Sequence, residues 1–137
     1  MTVSLPGRVD RRLRGEHGDI LQAVDSCAAM VAADWDGQET ANRSAVVPPL
    51  RRHLEQQGVL ATLPAVLADV VEFAGYSLPA TPVAAPPYVV ITSRGPLLRA
   101  TIEPGRLVVV LEAFNVVRGP TPAYRRIEPL EVAVTLE

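Results

Sequence analysis

The spacing of apolar residues changes near residue 79, and this change restricts the chain to folds that contain both helices and strands. Before residue 79, apolar residues recur every three or four positions, which is the period of one helix face. After residue 88 they follow the alternating period of a half-buried strand. Residues 79–87 (PATPVAAPP) carry four prolines. Because proline fixes φ and lacks a backbone donor, this stretch predicts an extended connector.

Together, these patterns predict one α+β domain over residues 1–137. Two to three N-terminal helices (1–78) are expected to pack on one face of a four-stranded antiparallel meander (88–137), with strands in chain order. A chain of 137 residues has the usual length of one domain and can bury a real core. Whether the 79–87 connector simply joins the halves or lets helices swap between subunits stays open.

The helical half begins with a long helix predicted over residues 8–35. Its apolar stripe consists of Val9, Leu13, His17, Ile20, Val24, Cys27 and Val31. Gly15 and Gly18 lie within this stretch, and each destabilises a helix by about 1 kcal/mol relative to alanine. These two glycines could therefore divide the helix.

Two shorter helices are predicted over residues 48–58 and 62–75. The first begins at a proline pair and ends at a glycine, which is the favoured order at helix ends. The second is expected to have Thr62 as its cap and Pro64 in its first turn.

Two turn sequences set the expected face of the sheet. Residues 103–106 (EPGR) suit a type II turn, and residues 93–96 (SRGP) form a second turn candidate. Two-residue loops at these places would pair Ile102 with Leu107 and Ile91 with Leu98. Both turns then place the same residues on one apolar face: Val89, Ile91, Leu98, Ala100, Ile102, Leu107, Val109 and Leu111. Residues 130–136 alternate as a fourth strand.

The opposite face of the sheet, called the outer face below, is half apolar, whereas a solvated sheet face is usually polar. We therefore expect something to cover it. The leading hypothesis is a non-catalytic protein interaction module that forms a homodimer through this face. Its expected interface residues are Val90, Leu97, Arg99, Val108, Val110, Glu112 and Phe114, with Arg99 as a polar anchor.

A second hypothesis is a small-ligand-binding protein or enzyme with a cleft between helices and sheet. Histidine has the only side chain whose ordinary pKa lies near neutrality. The chain has two, and both are expected on half-buried helix faces. The candidate residues are His17, His53, Arg99 and Tyr124. Whether the two histidines share one site stays open.

No motif predicts a catalytic residue, a cofactor or a metal. The chain lacks the nucleophile elbow and the glycine-rich phosphate loops. The acidic turn at residues 34–39 does not match the ligand spacing of a calcium loop. Cys27 is in phase with the apolar stripe and is expected to be a buried, inert thiol.

The charge composition disfavours nucleic acid and membrane partners. The 13 basic residues are all arginine, which is typical of a GC-rich genome, and 15 acidic residues give a net charge of -2. Three helices and a hairpin are similar to the element order of a winged-helix domain. However, the helix that would enter a DNA groove, residues 63–74, has no basic residue. No apolar stretch approaches the roughly 20 residues of a membrane span, so a cytoplasmic domain is expected.

Overall fold

The computed structural model describes residues 3–137, so the first two residues of the predicted domain lie outside it. Its class is α+β, as predicted. Within this range, four α-helices precede most of a five-stranded antiparallel sheet of order β1-β5-β4-β3-β2. The helices are α1 (Leu5–Glu16), α2 (Gly18–Ala33), α3 (Val47–Gln56) and α4 (Val59–Phe73), and the strands are β1 (Glu39–Thr40), β2 (Val89–Thr92), β3 (Gly95–Ile102), β4 (Gly105–Val117) and β5 (Ala123–Leu136).

The helix predicted over residues 8–35 is divided into α1 and α2 at His17. His17 leaves the helical region with φ -116° and ψ 25°, and its N–H donates to the Leu13 carbonyl at 2.9 Å. Gly18 follows directly and begins α2. The low helix propensity of glycine therefore coincides with the break.

The last helix begins three residues earlier than predicted. Gly58 has φ 73°, a left-handed conformation that turns the chain from α3 into α4. Thr62 is not the cap but lies in the first turn, where its hydroxyl donates to the Gly58 carbonyl at 2.9 Å. Pro64 is consequently inside α4 and buried.

The sheet has five strands and not four. The additional strand is β1, a two-residue segment that follows α2 and pairs with Tyr124 and Arg125 of β5. The other four strands form the predicted meander, in chain order from β2 to β5. A segment of two residues is too short to show an alternating pattern, which explains why the sequence did not predict it.

Both predicted hairpin registers are wrong by two residues, although the predicted faces are right. Ile102 pairs with Gly105, and Val89 pairs with Leu98. Gly95 and Gly105 therefore begin strands, with φ of 140° and 151°. A Cβ on Gly95 would overlap the Leu111 carbonyl, so glycine is required there for close backbone approach. A shift of two preserves the face because side chains alternate with period two.

The core lies between the helices and the inner face of the sheet. All eight residues predicted for that face are buried, as are apolar residues from each of the four helices. Trp35 and Phe114 close the core near β1, with ring centroids 5.6 Å apart. The Trp35 indole N–H donates to the Ala45 carbonyl at 2.9 Å, which satisfies its polar atom.

Candidate functional site

The outer face carries an apolar centre built from four neighbouring strands. The register places Val90 beside Leu97, Leu97 beside Val110, and Val110 beside Ala133. Each of these side chains is only half-buried, although the residues that alternate with Val90, Leu97 and Val110 along their strands are buried in the core. The helices share one buried cluster with the inner face, so the outer face stays accessible.

Phe114 does not belong to the outer face, and its predicted place in the interface is wrong. It is 1% exposed and packs against Trp35 in the core. The register between β4 and β5 shifts between Glu112 and Phe114, and the amides of both Ala113 and Phe114 donate to the Arg94 carbonyl. This bulge turns Phe114 to the opposite side of the sheet.

Charged residues lie at the two ends of the outer face. At one end, Arg106 of β4 is a diagonal neighbour of Arg99 of β3, since Arg99 pairs with Val108. At the other end, Glu112 of β4 lies directly opposite Glu131 of β5. None of these four side chains comes within 4.0 Å of an opposite charge in the described part of the chain.

The basic end borders a concavity of about 320 Å³ at the edge of the sheet. Leu78, Pro79 and Tyr88 contribute to its walls, and Arg99, Thr101 and Arg106 contribute polar groups. The Arg99 Nε–H donates to the Pro87 carbonyl in a long hydrogen bond of 3.4 Å. The other N–H groups of this guanidinium have no acceptor among the described residues. Two guanidinium groups at one concavity form an environment that favours an anion.

The four residues of the alternative cleft site are not brought together. Arg99 lies on the outer face, whereas His17 lies in the helical layer against the inner face. Tyr124 is near the other edge of the sheet, paired with Thr40 and Val116. His53 is half-buried on α3. The sheet therefore separates Arg99 from the helical histidine that was expected to act with it.

His17 instead belongs to an ion-pair cluster that sequence reasoning missed. Its Nε2 is 2.7 Å from Oδ2 of Asp69 on α4. Arg12 of α1 donates to both oxygens of the same carboxylate, at 2.9 and 3.0 Å. Asp69 is 57 residues from Arg12, so no local spacing could have indicated the pair.

The hydrogen bonds from Arg12 lower the pKa of Asp69 from 3.8 to about 2, with a smaller contribution from His17. The Arg12 guanidinium also stacks on the Phe73 ring, 4.5 Å from its centroid. Both oxygens of the Asp69 carboxylate have partners, and the three side chains are 18 to 32% exposed. This arrangement fits a clamp between α1 and α4 better than a catalytic site with a free base.

A second ion pair joins α2 to β5. A guanidinium nitrogen of Arg126 lies 3.2 Å from Oδ1 of Asp25, and the same carboxylate oxygen accepts the Leu130 N–H at 3.3 Å.

Burial raises the pKa of the Cys27 thiol, in agreement with an inert core cysteine. Over residues 3–137, the His, Cys, Asp and Glu side chains form no cluster that could hold a metal ion.

One edge of β5 has open backbone groups. The Glu137 and Arg106 backbones exchange both hydrogen bonds, so alternate residues from Glu137 bond to β4. The N–H and C=O groups of Val132, Val134 and Leu136 therefore point away from β4. In the described chain, β1 covers this edge only at Tyr124 and Arg125, and Asp25 caps only Leu130.

The region that would act as a DNA-recognition helix is part of the core. Eight of the fifteen residues of α4 are buried. The sequence of α4 contains no basic residue and carries Asp69 and Glu72, so this helix itself offers no positive charge to phosphate. None of the described helices is both long enough and apolar enough to cross a membrane.

Comparison with known proteins assigns the chain to a family. Residues 7–137 match the family described as "Domain of unknown function (DUF7988)", and the chain belongs to this family. No curated protein and no solved structure matches the chain.

Proposed function

We propose that this member of the DUF7988 family is a non-catalytic interaction module that self-associates through the outer face of its sheet. The observation that carries the proposal is the half-buried apolar centre formed by Val90, Leu97, Val108 and Val110. An antiparallel sheet with one core face normally presents polar side chains on the other. A second copy of the chain is the simplest cover, since closed twofold pairing is the commonest oligomeric arrangement.

The covering of this face stabilises the assembly through apolar burial. Val108 and Val110 lie at the centre of β4, where they have neighbouring strands on both sides. Burial of a fully exposed valine side chain contributes about 1.5 kcal/mol or more, and Val108 and Val110, which are already partly buried, gain the share that corresponds to their remaining exposed area. A glutamate at either position would place a charge in the middle of the contact, which is costly without a partner.

Native mass spectrometry of the purified protein, supported by light scattering, tests this proposal. We expect a dimer for the natural chain and a folded monomer for the double variant Val108→Glu and Val110→Glu. The matched control, Ala61→Glu and Ala65→Glu, adds the same charge at exposed positions of α4 and should leave the dimer intact. A natural chain that is monomeric, or a double variant that stays dimeric, would contradict the proposal.

A second candidate function is the binding of a small anionic ligand at the concavity beside Arg99 and Arg106. The two guanidinium groups and the apolar walls favour a ligand with a carboxylate or phosphate next to an apolar group. Titration of phosphate and of a simple aromatic carboxylate, followed by NMR shifts of Thr101 and Arg106, tests it. Loss of these shifts in Arg99→Gln is expected. Shifts that persist in the variant would contradict a role of Arg99 in holding the anion.

A further inference from the structure

The outer face of β4 has opposite charges at its two ends. Arg106, Val108, Val110 and Glu112 are alternate residues of this strand, so their side chains share the outer face. The order is basic, apolar, apolar, acidic. A strand with this order is complementary to a second copy of itself in the reverse direction.

The neighbouring strands strengthen the charge at each end. Arg99 on β3 adds a positive charge near Arg106, and Glu131 on β5 adds a negative charge opposite Glu112. Like charges directly opposite one another destabilise a sheet unless another group compensates them. The Glu112–Glu131 pair is therefore unfavourable within one described chain.

Two further charged residues lie near these ends. The Glu137 backbone pairs with Arg106, and the Arg94 carbonyl accepts from Ala113 and Phe114 beside Glu112. Neither side chain is within 4.0 Å of an opposite charge in residues 3–137. Glu137 is negative beside Arg106, and Arg94 is positive beside Glu112. Each therefore reduces the charge difference between the two ends of the outer face, but two basic residues still lie at one end and two acidic residues at the other.

We infer that the second copy binds with its β4 antiparallel to β4 of the first, so that Arg106 faces Glu112 of the partner subunit. This inference rests on the proposed self-association and specifies its orientation. The twofold axis lies between the two sheets, level with Val109, which is midway between Arg106 and Glu112 along β4. Val108 and Val110 then pack in the centre, and each Glu112–Glu131 pair receives a guanidinium from the other copy.

Geometry permits this arrangement. Each charged residue is three positions from Val109, which corresponds to about 10 Å along the strand on either side of the axis. Packed sheets lie about 10 Å apart with strands roughly aligned, and extended arginine and glutamate side chains together can bridge that gap. Such peripheral charge pairs determine the orientation of a complex more than its affinity.

Charge exchange gives a sharp test of the orientation. Arg106→Glu and Glu112→Arg should each weaken self-association by at least about tenfold, since each places like charges in contact twice per dimer. In an equimolar mixture of the two variants, both contacts become attractive. We therefore expect a heterodimer in the mixture, measured by native mass spectrometry, which separates the two chains by mass. The double variant Arg106→Glu and Glu112→Arg should again form homodimers.

The controls separate failure of the orientation from failure of the proposed function. Arg52→Glu changes the charge equally at an exposed position of α3 and should dimerise like the natural chain. Circular dichroism and Trp35 fluorescence establish that each variant is folded. If Val108→Glu with Val110→Glu abolishes the dimer but both charge variants dimerise normally, the orientation is wrong and self-association through this face stands. If single variants are monomeric and their mixture shows no heterodimer, the Arg106–Glu112 pairing is also wrong. A monomeric natural chain overturns both proposals.

Discussion

Arg12 and Asp69 form a two-pronged ion pair that joins α1 to α4, with N···O distances of 2.9 and 3.0 Å. The parallel geometry of guanidinium and carboxylate orients both helices. His17 adds a third contact to the same carboxylate at the break between α1 and α2. One aspartate thus connects α4 with the C-terminal turn of α1 and the beginning of α2.

Replacing this aspartate should loosen the helical layer. We expect Asp69→Asn to lower the melting temperature by a few degrees, because it removes the charge that Arg12 and His17 share. The pair is partly exposed, so the loss should be smaller than for a core substitution. Calorimetry against Asp10→Asn, which alters only an exposed pair with Arg14, gives the matched comparison. An equal effect of the two variants would contradict the clamp.

The same residue predicts an acid dependence of stability. The pKa of Asp69 is about 2 in the folded protein and 3.8 ordinarily, so its stabilising contribution is present above the ordinary pKa. That contribution should disappear as pH falls from about 4 to about 2. Urea unfolding at several pH values should show the natural chain and Asp69→Asn converging over this interval. A stability difference that stays constant down to pH 2 would exclude Asp69 as its source.

The sequence predicted the class, the meander and the buried face of the sheet, because these depend on alternation along each strand. Alternation survives a register shift of two, which is why the predicted faces were right while Ile102 was paired with the wrong residue. The registers could not be obtained from turn preferences alone. They depend on the close approach of Gly95 to Leu111, a contact 16 residues away that no local pattern shows.

The candidate site was predictable where it follows one strand and not where it depends on distant contacts. The outer positions of Val108, Val110 and Glu112 follow from alternation along β4. Phe114 breaks that alternation because of the bulge at Ala113, which involves the Arg94 carbonyl. The proposal that this face binds a second copy remains a prediction.

Truncation of Phe114 should be strongly destabilising. The side chain is fully buried and fills the space beside Trp35, so Phe114→Ala should lower the free energy of unfolding by about 3–5 kcal/mol. Phe114→Leu retains much of the volume and should cost considerably less. Chemical unfolding monitored by the fluorescence of Trp35, the one tryptophan in the chain, measures both variants. A loss below about 1 kcal/mol in the free energy of unfolding of the alanine variant would contradict the burial of Phe114 and would favour the exposed position predicted from the sequence.

Glycine is expected to be essential at position 95 and dispensable at position 119. Gly95→Ala places a Cβ against the Leu111 carbonyl at φ 140° and should destabilise the protein by more than about 1 kcal/mol. Gly119 has open space around its Cα, so Gly119→Ala should be nearly neutral. Thermal unfolding of both variants tests the tight hairpin. Equal stability of the two would favour the looser register that places residue 95 within the turn.

Hydrogen exchange at β5 distinguishes pairing through the outer face from pairing through the sheet edge. The amides of Val132, Val134 and Leu136 point away from β4, whereas those of Glu131, Ala133 and Thr135 point toward it. An outer-face dimer leaves the edge open, so the first three amides should exchange rapidly and the second three slowly, at any protein concentration. NMR-detected exchange on the natural chain and on the Val108→Glu, Val110→Glu variant measures this. The opposite result is protection of Val132, Val134 and Leu136 that appears only in the concentrated natural chain. It would mean that the β5 strands of two copies pair at their edges and form one continuous sheet. It would contradict the outer face as the contact.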